Sequence, residues 1–355
     1  MIKYKNRQPL TTGMDEIIRH ITKSLEKFGL CEGECVHFPD KNYKAANIDK
    51  KNFHDIKDAD SKKKIAFIDG GNAEIIRAAN LSLSAVRVYY NVFSDNKKIS
   101  SKKYELFVLL SAFNKDGKIS YKTELFNNEI GLDKNDLVFD SFDATLKTGA
   151  HRVVISKIGD AARKFAELKA VERVIDELDK GDIAVMDRDL QASVTNEAKY
   201  FDLIYKKADE KGVIITGLCK SSNLLTNNGN PVNALLGLIG EKKSWFYYPV
   251  AEIKNENHKA EMFFVKLHEK SRHVLRFEVY NKQKDNFEDV LGLLKKNSRD
   301  PIFLGYPYGL IDADKHARVS NQEKEYQKTV FLAKMGKRLD GHLMATAHEI
   351  LDNIS

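Results

Sequence analysis

The sequence predicts an α/β chain built on a mixed sheet flanked by helices, with additional strands and helices toward the C-terminus. Three observations carry that expectation. Strand-like segments follow one another between residues 65 and 111, a helix–strand alternation runs from 158 to 217, and strand character returns beyond 245. Successive strands favour an antiparallel meander, whereas strands separated by helices run parallel, so one sheet holding both is mixed.

Taken in order, residues 11–28 place Met14, Ile17, Ile18, Ile21, Leu25 and Phe28 at helical spacing, which predicts an amphipathic helix. Positions 29–60 are polar and irregular. Residues 65–68 (IAFI) form a short apolar run closed by Asp69-Gly70-Gly71, the pattern of a buried strand ending in a turn. Segments 82–93, 104–111 and 118–122 add strands. Phe165, Leu168, Val171, Ile175 and Leu178 form the apolar stripe of a helix over 158–178. A strand at 183–186 (IAVM) ends on Asp187; a helix at 194–209 and a strand at 213–217 follow. Strands at 245–248, 262–267 and 273–279 come next, then helices at 321–337 and 341–352.

This order divides the chain into a helical and irregular extension (1–60), a sheet core (61–220) and a C-terminal part (221–355). No run reaches the roughly 18 apolar residues of a membrane span, and the first residues lack a signal core. Three cysteines, an odd number, suit a reducing interior, so a cytoplasmic protein is expected. The 58 basic and 51 acidic side chains leave a formal charge of +7, which suits a polyanionic partner.

Asp69 and Asp187 share a local grammar, each following four apolar residues at the end of a strand. Carboxylates at such positions project into the crevice where open sheets bind ligands. If the two strands are neighbours, their heads come within about 4–6 Å, an arrangement that needs a proton or a cation. Magnesium or manganese, with oxygen ligands, would supply it. A third carboxylate is offered by Glu167 at the edge of the helical stripe, with Glu172 one turn away as the alternative.

Residues 301–320 hold a constrained aromatic turn (Tyr306, Pro307, Tyr308, Gly309), then Asp312 or Asp314 as the cap of a helix with His316 in its first turns. A histidine there can bind metal or move a proton. Tyr306 and Asp314 have the same eight-residue separation as Tyr308 and His316. Lys220, in the polar loop 217–229, together with Arg188, Lys266 and Arg276, are the candidate contacts to a nucleic-acid backbone. The frames GxSxG, HExxH, GxGxxG and GxxxxGK[ST] are absent, which removes several enzyme classes. Clustered carboxylates among basic residues point instead to metal-assisted phosphoryl transfer.

Six segments in order, FIDGG (67–71), FAELK (165–169), IAVMDRDL (183–190), ITGLCKSS (215–222), FFVKLHEKSRHVLRFEV (263–279) and GYPYGLIDADKHARVS (305–320), resemble the NurA nuclease family. The resemblance covers about residues 60–335 and implies an RNase H-like sheet, a homodimer and manganese-dependent cleavage of DNA beside a HerA-type hexameric ATPase translocase. It further implies a 5′-to-3′ exonuclease that also cuts single strands internally. Carried over residue by residue, it makes Asp69, Glu167, Asp187, Tyr308 and His316 the active site, with Asp69, Glu167, Asp187 and His316 toward the metal. Arg188-Asp189 departs from the family, where Gly commonly follows Asp, and Arg188 can reach phosphate from there. The alternatives are a noncatalytic DNA-binding adaptor of a translocase and an RNase H-like RNA nuclease.

Overall fold

The computed structural model describes residues 10–25, 28–59 and 62–336. Its first elements are helix α1 (Leu10–Leu25) and the short strands β1 (Tyr43–Ala45) and β2 (Phe53–Asp55). A meander of four strands follows: β3 (Lys64–Arg77), β4 (Leu81–Ser94), β5 (Lys97–Lys115) and β6 (Lys118–Phe126), with a two-residue β7 (Phe139–Asp140) beyond it. Two of its turns are two-residue hairpins of left-handed backbone, Asp95-Asn96 at φ 48° and 58°, and Asp116-Gly117 at φ 52° and 80°. Such turns match the right-handed twist of the strands they join.

The alternating part consists of α2 (Ser156–Val174), β8 (Ile183–Met186), α3 (Glu197–Lys211) and β9 (Ile214–Cys219). After it come α4 (Val232–Ile239), β10 (Trp245–Tyr247), β11 (Ala251–Ile253), β12 (Ala260–Lys266) and β13 (Leu275–Tyr280). Helices α5 (Phe287–Asn297), α6 (Tyr308–Ala317) and α7 (Asn321–Met335) complete the described chain.

Eleven strands form one sheet in the order β2-β10-β12-β13-β9-β8-β3-β4-β5-β6-β7, and β1 pairs with β11 in a second, two-stranded sheet. Strands β3, β8 and β9 are mutually parallel, and the other pairs are antiparallel. The middle of the sheet, β5-β4-β3-β8-β9, is therefore an antiparallel meander joined to two parallel strands, the RNase H-like arrangement expected. Strands from all three sequence segments enter this one sheet, because β2 closes its edge against β10.

Strand alternation divides the core. Ala66, Ile68, Ala184 and Met186 pack beneath α2 and α3, with Phe165, Leu168 and Ile204 among their neighbours. Ile65, Phe67, Ile183 and Val185 face the other way, toward α5 and α6, with Leu294, Tyr306 and Leu310.

Three expectations need correction. The turn read at Asp69-Gly70-Gly71 does not exist, because β3 continues unbroken to Arg77. Those glycines serve close approach instead. A Cβ at Gly70 would lie 2.6 Å from Glu167 Oε1, and one at Gly71 would lie 2.4 Å from the Ala317 carbonyl oxygen. The helix placed at Asp312 or Asp314 starts earlier, at Tyr308 with Pro307 before it, so both aspartates are interior and His316 sits in the last turn. The segment 118–122 is part of a longer strand, and 104–111 extends to 19 residues. Helices α4 and α5 were not anticipated, and the helix expected at 341–352 lies outside the described residues.

Candidate active site

Parity and register bring two aspartates together. On β3 the residues facing α6 are Ile65, Phe67 and then Asp69; on β8 they are Ile183, Val185 and then Asp187. The strands are parallel with Phe67 opposite Val185 and Ile68 opposite Met186, and the Asp187 amide extends the ladder by donating to the Ile68 carbonyl at 3.2 Å. The next register position is Asp69 beside Asp187, at the spacing of neighbouring strands, about 4.8 Å.

A third carboxylate arrives from above. Helix α6 lies close on β3, where a Cβ on Gly309 would meet Phe67 Cδ2 at 2.0 Å. It is tethered there by Asn91, which donates to the Gly309 carbonyl at 2.9 Å and to Asp312 at 2.8 Å, and by the Gly309 amide, which donates to Asn297 Oδ1 at 3.0 Å. This seat turns Asp314 toward the sheet, and carboxylate oxygens of Asp69, Asp187 and Asp314 lie within 4.8 Å of one another.

The ammonium of Lys220, just beyond β9, sits among them: 2.5 Å from Asp187 Oδ2, 2.8 Å from Asp314 Oδ1 and 4.0 Å from Asp69 Oδ2. Burial, then the charges of Asp187 and Glu167, push the Asp69 carboxyl up to about 8. Burial also raises Asp187, opposed by Lys220 and by the Tyr306 hydroxyl. Lys220 goes up to about 12 because its carboxylate neighbours outweigh its burial. This is a crowded anionic site, with the Lys220 ammonium among three aspartates and the Arg318 guanidinium 3.0 Å from Asp314 Oδ2, and its all-oxygen donor set suits a hard divalent cation.

Glu167 approaches from the opposite face of the sheet. It is buried on α2, lies against Gly70, and is ion-paired to Arg163. Burial raises its carboxyl, with Asp187 adding to the effect against Arg163 and Arg188. Glu172, the alternative, instead pairs with Lys169 at 2.6 Å. Glu167 thus stands behind the strand that carries Asp69, outside the three-aspartate group.

The tyrosine–histidine pair divides differently from the sequence expectation. Tyr306 is fully buried and donates to Asp187 Oδ1 at 2.9 Å. Tyr308 turns its ring edge-on to Phe93, with centroids 6.1 Å apart. His316 stacks on Tyr89 at 4.7 Å, and its Nδ1 is 2.8 Å from the Asp312 carbonyl oxygen. Tyr306 and Asp314 therefore occupy the places by the carboxylates that the expectation gave to Tyr308 and His316. The identical eight-residue separation was the available signal, but a count cannot say which helical face meets the sheet.

Of the expected backbone contacts, Lys220 lies in the cluster itself. Arg188 lines the same cleft, partly buried, and pairs with Glu197 at 2.6 Å. Arg276 is held by Glu278 at 2.5 Å and approaches Asp189 at 3.9 Å. Lys266 ends β12, three strands away from β8 in the sheet. A cleft of about 400 Å³ opens at the carboxyl ends of β8 and β9, lined by Glu167, Asp187, Arg188 and Lys220 among others.

The NurA domain model matches residues 63–319, most of the chain and all of the site. This chain belongs to the NurA family. Among solved structures, the NurA nuclease from Sulfolobus solfataricus shares the fold at a TM-score of 0.50 and 15% identity, over 91% of this chain and 94% of that one. The catalytic domain of human endonuclease V aligns at a TM-score of 0.38 and 10% identity, over 79% of this chain and 92% of that one. An Argonaute from Aquifex aeolicus aligns at 0.32 and 13% identity, over 74% of this chain and 29% of that one. No curated protein matches the chain. Within the NurA match, the first and last elements of the site, Asp69 and Asp314, are both included. No helix among the described residues is long and apolar enough to cross a membrane.

Proposed function

We propose that this NurA-family chain is a divalent-metal-dependent deoxyribonuclease whose metal is held by Asp69, Asp187 and Asp314. The observation that carries this reading is the convergence of three carboxylates within 4.8 Å at the cleft, with a lysine ammonium as their counter-charge. A bound divalent cation supplies a water of lowered pKa and stabilises charge on the phosphoryl oxygens. Manganese, with magnesium as the substitute, is the cofactor the family resemblance implies.

The chain's own residues do the positioning. Tyr306 fixes one oxygen of Asp187 and leaves the other directed at the cluster. Glu167, screened by Arg163, sets the charge behind Asp69 and can turn toward the cleft it lines. Lys220 holds a phosphate oxygen once a cation takes over its carboxylate partners. His316 and Tyr308 act through α6, keeping its packing on Tyr89 and Phe93.

The finer reading follows the family: a 5′-to-3′ exonuclease with single-strand endonuclease activity in DNA end processing, working in the cytoplasm as a homodimer beside a HerA-type translocase. The sheet core 61–220 would carry most of the metal site, and 221–355 would complete it. A protein partner is supported by α1, whose Met14, Ile17, Ile18, Ile21 and Leu25 are all more than half exposed. The test is an end-labelled DNA assay with manganese, magnesium or chelator, run with matched RNA and with Asp187→Ala. Metal-dependent cutting of DNA that the variant lacks is the expected result. Binding of DNA without cutting would favour the adaptor reading, and cutting by the variant would remove Asp187 from the active site.

A further inference from the structure

The cleft beside the carboxylates has a second wall rich in cations, with Asp189 also on the lining. Arg163 and Lys164 come from α2, Arg188 from the loop after β8, and Ser193 from the loop before α3. Two features of this wall are left over by the hydrolytic site. Lys164 Nζ donates to Ser193 Oγ at 2.9 Å, and among the described residues no carboxylate bridges it. The Nη1 of Arg188, whose side chain is 12% exposed, has no hydrogen-bond partner. Both residues line the same cleft of about 400 Å³, within the roughly 300–1,000 Å³ range of small-ligand pockets, although the Arg188 Nη1 atom itself is buried.

An unpaired donor such as Arg188 Nη1 is costly to bury, and an ammonium held by a hydroxyl alone keeps donors for an anion. Burial and the neighbouring Arg188 and Arg163 lower the Lys164 pKa, with Glu197 and Asp189 opposing them. Asp187 and this wall line one cleft, so a strand end with one phosphate at the aspartates has the wall within the same space for its terminal phosphate. An internal diester brings one negative charge; a terminal monoester brings nearly two and offers more acceptor oxygens.

We infer that the wall formed by Lys164, Arg188 and Ser193 binds the terminal phosphate monoester of the strand being cleaved, and so selects phosphorylated ends. This rests on the nuclease reading above and adds the chemistry of the end it prefers. Lys164 is the determinant; Arg188 is also a structural partner of Glu197 and is a poor target for substitution.

The test measures binding apart from cleavage. Fluorescence anisotropy in EDTA compares single-stranded oligonucleotides with a 5′-phosphate, a 3′-phosphate or hydroxyls at both ends, against wild type, Lys164→Met and Lys164→Arg. One phosphorylated arm should bind wild type about tenfold more tightly than the hydroxyl arm, a typical worth for a charge-assisted contact. Lys164→Met should lose that preference and Lys164→Arg should keep it. Equal binding of all three arms by wild type, or a full preference in Lys164→Met, would overturn the inference. Cleavage of circular single-stranded DNA with manganese, run alongside, reports the nuclease reading on its own, and Lys164→Met should leave it unchanged. If that variant stops cutting circles, Lys164 serves the reacting centre and the end-selection idea is wrong.

Discussion

The Tyr306 hydroxyl donates to Asp187 at 2.9 Å across 119 residues of sequence, while Tyr308, two positions later, faces Phe93. A hydrogen bond to a metal-ligating carboxylate orients it, and losing such a partner typically costs about 10–100-fold in metal affinity or activity. Tyr306→Phe should therefore lower cleavage by that order, with Tyr308→Phe within about twofold of wild type. Steady-state rates at saturating manganese and at limiting manganese distinguish a weakened metal site from a misfolded one.

The same contrast applies one turn further along α6. Asp314→Asn removes one of the three carboxylates, whereas His316→Gln removes a ring stacked on Tyr89. Manganese titration by calorimetry should show Asp314→Asn binding at least about tenfold more weakly, since such a loss removes a ligand outright. His316→Gln should bind manganese normally; tight binding by Asp314→Asn would remove that residue from the metal site.

The elevated Asp69 carboxyl makes stability depend on pH in the absence of metal. Its folded-state value of about 8 exceeds the reference 3.8, so the folded protein holds the proton more tightly. That contribution is fully present below about pH 4 and is lost as pH rises through about 8. Thermal unfolding in EDTA should show a falling contribution over that window, which Asp69→Asn flattens. Added manganese should reverse the trend, because metal binding requires the ionised carboxylate and gains from higher pH.

Close packing of α6 gives a stability prediction separate from chemistry. Gly309→Ala drives a methyl group into the Phe67 ring, 2.0 Å from Cδ2. Overpacking of this kind costs about 1–3 kcal/mol, read as a lower urea midpoint at unchanged slope. Because the helix must lift, Asp314 moves as well, and activity should fall in the fraction that remains folded. An unchanged midpoint would show that α6 is not seated as described.

Much of this was readable from residues alone, for identifiable reasons. The runs 65–68 and 183–186 are apolar on both faces, so they could only be central strands, and the aspartates at their ends followed. Gly70 and Gly71 misled because glycine marks a turn and a close approach with the same letter. What distinguishes them here, Glu167 and Ala317, is distant in sequence. Helix α6 was misplaced because its buried face includes Asp312, which is satisfied by Asn91 and Lys98 rather than by water. Helix α5 carries Val290, Leu291, Leu293 and Leu294, all buried against the sheet, yet it lies between a polar stretch and the aromatic turn.

Lys220 was expected as a contact to a nucleic-acid backbone, but its loop gives no hint of the carboxylates it meets. Its position depends on β9 lying beside β8, and Gly217 permits that neighbourhood. A Cβ there would stand 2.2 Å from the Arg188 carbonyl oxygen, so any larger residue pushes the loop bearing Arg188 off the sheet.

The order of the strands has a consequence for biosynthesis. Asp69 and Asp187 can be paired once the ribosome has made β8, but Tyr306 and Asp314 emerge more than a hundred residues later. Edge strand β2 must likewise wait for β10, from the far side of the core, before it has a neighbour. Contacts of such long sequence separation form slowly, after local structure. A growing chain therefore carries only a fragment of the carboxylate site until the strands and helices of its last third have been made.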